Sequence, residues 1–270
     1  MKLFRIILIT LSLMPSLAQG SEQQRILAMT PHACEMLYAI GAESQLVGAV
    51  AYCDYPEEAK KHPRVGSYER INVEASLRLK PDVAIVMSRN VIGVERLQQM
   101  GVDIVVSNPN SFESMFHDIQ KLGELTGHVQ QSETLVRKLR ERLRRVRSAV
   151  DSATPVFFEL WPDPMLTAGG PSFITDVIRE AGGRNVFSQI EMETAHVNIE
   201  AVIRARPEVI VIPEEKRDIA ERQAFWERWL GRGSVRFVVI DPDLLHRPGP
   251  RLLDGVEQLQ QALQGGQDGT

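Results

Sequence analysis

The residues best suited to hold a metal or move protons are six histidines, His32, His62, His117, His128, His196 and His246, and two cysteines, Cys34 and Cys53. His32, His196 and His246 each fall between predicted elements and could converge on one cleft, but no spacing pattern supports a three-histidine metal site. Each of them taken alone reads rather as a loop histidine facing water. The sequence holds no G-x-S-x-G, no H-E-x-x-H, no P-loop and no G-x-G-x-x-G. Nucleophilic, zinc-hydrolytic and nucleotide chemistry therefore lack their signatures. Gly169-Gly170-Pro171-Ser172 precedes a helical stretch and fits an anion-binding turn or a plain strand-to-helix connection. The expectation is a binding protein without a resident cofactor or metal; an enzyme is the alternative of another class.

The compartment follows from the N-terminus. Residues 1–20 combine Lys2 and Arg5, an apolar run over 8–14, then Pro15 and small residues at Ala18 and Gly20. That order is a secretory signal peptide. Export opens two states for Cys34 and Cys53, a disulfide or two packed thiols. Two cysteines exclude a disulfide-scaffolded fold. Among 270 residues 43% are hydrophobic and 24% charged, a globular composition. A net charge of -4, from 31 Lys+Arg against 35 Asp+Glu, excludes nucleic acid as the main partner. A soluble monomer exported to the periplasm is expected.

Placing the candidate residues requires elements. Short apolar runs over 25–29, 46–51, 83–87 and 102–106 read as strands, and the stretches 31–41, 91–100 and 111–126 as helices. The alternation predicts parallel sheets with helices on both faces. From 128 to 150 the pattern changes. Leu135, Leu139, Leu143 and Val146 recur at helical spacing, six arginines and Lys138 crowd the interval 137–147, and no Gly or Pro occurs over 129–150. This predicts one helix of ~33 Å with a basic face. The face reads as solvated surface, or as a contact for a membrane or acidic partner. Strands over 156–160, 208–212 and 237–240, with helices over 172–181, 218–230 and 252–263, resume the alternation.

Residues 72–86, NVEASLRLKPDVAIV, align without a gap to residues 198–212, NIEAVIRARPEVIVI, 126 positions later. Asn72 and Asn198 suit helix N-caps. Glu74 and Glu200 then sit in a first turn, where the helix dipole favours an anion by ~0.3–1 kcal/mol each. Pro81 and Pro207 end the helices before strands. The repeat implies two similar α/β lobes, 21–127 and 154–263, bridged by a helix over 128–153, with a disordered tail over 264–270. A single helical crossover predicts lobes held nearly fixed around a shallow cleft. Tyr52, Tyr55, Tyr68, Trp161 and Phe173 fall in loops at strand ends, placed to stack on a flat or macrocyclic ligand or to anchor loops.

Several segments resemble a known family over essentially the whole exported chain. Thr30-Pro31-His32-Ala33-Cys34-Glu35, Cys53-Asp54-Tyr55-Pro56, Val65-Gly66-Ser67-Tyr68 with Asn72-Val73-Glu74, and Leu79-Lys80-Pro81-Asp82 are four of them. The region from Trp161 to Gly170, the segment from Ala181 to Phe187, and Arg247-Pro248-Gly249-Pro250-Arg251 complete the series. In this order they are similar to the periplasmic substrate-binding proteins of ABC importers for cobalamin, siderophores and haem, and most to the cobalamin group. The resemblance implies a class III architecture, two Rossmann-like lobes on one rigid helix. It implies that Glu74 and Glu200 project from the lobe tips toward arginines of a permease dimer. It places Tyr52, Tyr68, Met87, Trp161, Leu244 and Arg251 at or beside ligand positions. Met87, Thr194 and Leu244 stand where the best-known cobalamin binder has Trp. Haem binders use a Tyr near position 68 and a Gly after the acid, where this chain has Ala75. The implied ligand is cobalamin or a related corrinoid, with haem or a ferric siderophore as the alternative.

Overall fold

The computed structural model describes residues 23–67, 69–148, 153–214 and 218–265. The first lobe runs β1 (Ile26–Ala28), α1 (Pro31–Ala39), β2 (Leu46–Ala49), α2 (Val73–Arg78), β3 (Val83–Val86), α3 (Val94–Gln99), β4 (Asp103–Val106) and α4 (Phe112–Thr126). Its strands form a parallel sheet in the order β2-β1-β3-β4. Every residue of β1 and β3 is buried, which is why these strands read as unbroken apolar runs: helices cover both faces.

Helix α5 (Val129–Ser148) leads to the second lobe. There follow β5 (Thr154–Phe158), β6 (Trp161–Pro162), β7 (Met165–Ala168), α6 (Phe173–Glu180), β8 (Gly183–Asn185), β9 (Thr194–His196), α7 (Ile199–Ala205), β10 (Val209–Pro213), α8 (Ile219–Leu230), β11 (Arg236–Ile240), α9 (Asp243–His246) and α10 (Leu252–Gln264). Its main sheet, again parallel, has the order β8-β5-β10-β11. Chain order maps β5, β8, β10 and β11 onto β1, β2, β3 and β4, so both lobes share one topology. The duplicated windows keep their local geometry too. Asn72 Oδ1 accepts the Ala75 N–H at 3.0 Å, and Asn198 Oδ1 accepts the Ala201 N–H at 2.9 Å. Lys80 and Arg206, at matching positions, are the only described non-glycine residues with positive φ, at 48° and 46°. The second lobe adds a small antiparallel sheet, β6-β7-β9. Its strands of two to four residues are too short to print a two-residue period.

Helix α5 spans 20 residues, ~30 Å; the rest of the expected bridge, 149–152, lies outside the described residues. Val136, Leu139, Leu143 and Val146 are buried, with Leu135 only half-buried beside them. Gly123 of α4 admits this helix closely: a Cβ there would stand 2.1 Å from Ser132 Oγ. One apolar core continues from the first sheet past α5 to the inner face of the second. A separate cluster around Trp226 fills the second lobe's outer face.

The basic face of α5 is a pairing surface. Arg140 reaches Glu113 of α4 at 2.5 Å. Arg142 donates to Glu257 at 2.7 and 2.9 Å and to Asp254 at 2.6 Å, both on α10. Arg147 pairs with Glu180 of α6, which is 4% exposed. The helix is thus tied to the first lobe by one arginine and to the second by two. The hydrogen bonds from Arg142 hold the Glu257 carboxyl below the usual carboxylate range. Arg142→Ala should cost about 1–2 kcal/mol in urea unfolding at pH 7, against less than about 0.5 kcal/mol for the exposed Arg137→Ala. Because the native Glu257 pKa is depressed, the difference should shrink as pH falls through that lowered value.

Candidate functional site

A cleft of about 480 Å³ opens between the lobes. From the first lobe it is lined by Thr30, Pro31 and His32 after β1, Met87 after β3, and Asn108, Pro109 and Asn110 after β4. From the second come Leu160 after β5, Ser172, Phe173 and Ile174 where α6 begins, Glu193 and Thr194 at β9, and Leu245, His246, Arg247 and Pro248. Carboxyl ends of parallel strands thus face the space from both sides, the usual ligand position in open α/β sheets. Phe112 and Phe173 meet edge-on, ring centres 5.1 Å apart, and join the lobes beside the cleft.

Thr30 caps α1, its Oγ1 accepting the Ala33 N–H at 3.3 Å, and this turns His32 inward in the first turn. His32 Nε2 lies 3.1 Å from the Ser107 carbonyl oxygen and 3.1 Å from Ser107 Oγ. A carbonyl only accepts, so Nε2 carries the hydrogen. Ser107 Oγ in turn donates to Asp118 Oδ2 at 2.7 Å. Burial lowers the His32 pKa to about 4, so the ring is neutral at pH 7.

Two arginines of the second lobe, Arg247 in the cleft wall and Arg251 outside its lining, grip the first. Arg251 donates to Glu35 at 2.5 and 3.0 Å and lies over the Tyr55 ring at 3.8 Å. Arg247 donates to Asp54 at 2.6 Å and pairs with Asp243 at 2.8 Å and Glu35 at 3.5 Å. Burial pushes the Glu35 carboxyl upward against the pull of both guanidinium groups. Burial also opposes ionisation of Asp54, yet the bond from Arg247 leaves that carboxyl below its ordinary range. Gly249 lets the R-P-G-P-R segment approach α1: a Cβ there would sit 3.3 Å from Glu35 Oε2. Cys34 and Cys53, each one residue before a gripped carboxylate, form a disulfide with Cα atoms 5.9 Å apart.

The residues singled out from sequence fall in different places. Met87 lines the cleft and is 37% exposed. Tyr52 and Trp161 are exposed in the loops after β2 and β5, outside the wall of the main cavity. Leu244 packs half-buried on the core while its neighbour Leu245 takes the wall. Arg251 belongs to the grip behind the cleft. Tyr68 lies outside the described residues. His32 and His246 line the cleft from opposite lobes, whereas His196 is exposed on β9 and does not. Among the described residues no group of three or more His, Cys, Asp or Glu is placed to hold a metal ion. Sequence reasoning missed the pairing of Arg247 with Asp54, 193 positions apart, although both stand in segments it had marked.

Glu74 and Glu200 occupy the first turns of α2 and α7. Each helix leads into the next strand through a short link. Both glutamates are exposed; Glu74 keeps 84% of its side-chain surface while pairing with Arg78 at 2.7 Å.

Twin parallel sheets, a bridging helix and a cleft at their strand ends define a two-lobed solute-binding protein of class III architecture. Residues 26–226 match the model of the periplasmic binding protein family, and the chain belongs to that family. It is 29% identical over 243 residues to the vitamin B12-binding protein of Photorhabdus laumondii, covering 88% of this chain and 87% of that one. The crystal structure of the periplasmic vitamin B12 binding protein BtuF of Vibrio cholerae superposes with a TM-score of 0.79 at 30% identity, covering 91% of this chain and 98% of that one. The periplasmic haem binding protein HutB of Vibrio cholerae shares the fold, with a TM-score of 0.81 at 21% identity over 89% of this chain and 99% of its own.

A histidine buried neutral makes stability fall with acid. The unfolded ring protonates near its ordinary 6.5 while the native ring resists to about 4. Stability should therefore be full above pH 6.5 and drop by on the order of 3 kcal/mol by pH 4 through this group. Denaturant unfolding across that window should show a flatter profile for His32→Phe than for the native sequence.

Proposed function

We propose that this protein is the periplasmic solute-binding component of an ABC importer, that its ligand is cobalamin or a related corrinoid, and that it is not an enzyme. The observation that carries the ligand choice is the charge balance of the cleft. Arg247 is the cation of its described wall, and Asp54, Asp243 and Glu35 already engage it. Glu193 adds a negative charge opposite no free cation among the described lining residues. A neutral macrocycle edged with amides suits such a wall; haem carboxylates and ferric-siderophore anions do not. Exposed Met87, Tyr52 and Trp161 on the strand-end loops supply apolar area for a flat ligand. The likeness to vitamin B12-binding proteins over nearly the full chain supports the same ligand class.

The lobes are joined by a long helix and by the arginine grip, so capture requires little closure. Residues 1–20 act as the export signal in this reading and lie outside the described residues. Glu74 and Glu200 present equivalent carboxylates on two equivalent lobes, a match for basic residues on a two-fold permease.

Cyanocobalamin titrated into the exported chain should quench tryptophan emission saturably with submicromolar affinity. Absence of heat and quenching, with tight uptake of ferric haem, would replace the ligand. Glu74→Ala combined with Glu200→Ala should leave that affinity within about twofold, since neither residue lines the cleft. The same pair should reduce transporter-complex formation about tenfold or more in reconstituted vesicles; unchanged uptake would remove the docking role.

A further inference from the structure

The cleft wall carries a hydrogen-bond acceptor that the fold itself does not use. His32 commits its Nε2–H to Ser107, which leaves Nδ1 with a lone pair. Nδ1 bonds to no described group. Among the described residues, the buried side-chain nitrogens and oxygens without a partner are Gln45 Oε1 and Arg222 Nη2 alone. Nδ1 is therefore not sealed inside the lobe, and the space that His32 borders is the interlobe cleft. Burial keeps the imidazole neutral at pH 7, so it accepts there and does not donate. From the other lobe Glu193 contributes a carboxylate that forms no ion pair with a described residue.

We infer that His32 Nδ1 and the Glu193 carboxylate are specificity-determining acceptors that read primary-amide N–H groups on the ligand's edge and reject carboxylates at the same positions. The inference rests on the corrinoid reading above and adds which chemical form of the macrocycle is taken. An amide N–H meets the lone pair of His32 directly. A carboxylate has no hydrogen to give at pH 7 and sets its own lone pairs and charge against both groups. Sites built to hydrogen-bond a ligand group discriminate strongly against an analogue that cannot supply it.

The test is calorimetric titration of the exported chain with two corrins, cobinamide bearing amides and cobyrinic acid bearing carboxylates. The native protein should prefer the amide form by about tenfold or more. His32→Phe keeps a ring of similar size and removes the lone pair. It should weaken the amide form about five- to tenfold and leave the carboxylate form unchanged or tighter. Glu193→Gln, at an exposed position whose side chain bonds to no described residue, should tighten the carboxylate form about threefold or more. Equal affinity of the native protein for both corrins overturns the inference, as does an amide preference that neither variant alters. If His32→Phe weakens both forms alike, Glu193→Gln decides by the same criterion. A native protein that binds cobinamide without preference refutes this inference alone, whereas one that binds no corrin refutes the ligand assignment with it.

Discussion

Two arginines hold the lobes at a set angle. Arg247 and Arg251 lie four residues apart in one segment of the second lobe, and their carboxylate partners, Glu35 and Asp54, belong to two segments of the first. The contacts are bidentate or shared, and Glu35 is almost wholly buried. Breaking such a pair strands a charge away from water, which is costly, so the grip resists opening. The Cys34–Cys53 bond fastens the backbone next to both carboxylates. It keeps the loop bearing Asp54 and Tyr55 against α1, where the arginines meet it. Disulfide and grip act as one brace.

Helix α5 supplies the second tie by different means. Its apolar seam merges into a core shared by both lobes, and three of its arginines pair with α4, α6 and α10. Hydrophobic burial supplies most of the attraction here, and the ion pairs fix the rotation of the helix about its axis. With ties on both the helix and the grip, hinge motion would have to break contacts of both kinds. Ligand release then requires work from outside.

The grip also shapes the cleft. Arg247 lines it but spends its charge on three carboxylates, so the structural role takes up the cation that the described wall would otherwise offer an anionic ligand. The neighbouring wall offers acceptors instead. Rigidity and ligand preference therefore share a cause: a charge satisfied within the fold is not available to a ligand.

Much of this was legible in the residues. The gapless pair of windows around Asn72 and Asn198 fixed two like lobes, because capping, first-turn acid and proline stop are local signals that survive without long-range contacts. The buried strands β3 and β10 and the unbroken helix α5 were equally plain, since period and composition reflect burial on both faces or on one stripe. What the chain order by itself determined was this duplication, the bridging helix and the first-turn position of Glu74 and Glu200. Only the tertiary structure decided that Arg251 grips Glu35 behind the cleft, that Arg247 answers Asp54 across 193 positions, and that His32 lends its ring to the wall. Those pairings join residues from separate elements, and no local periodicity records which distant charge a side chain will meet.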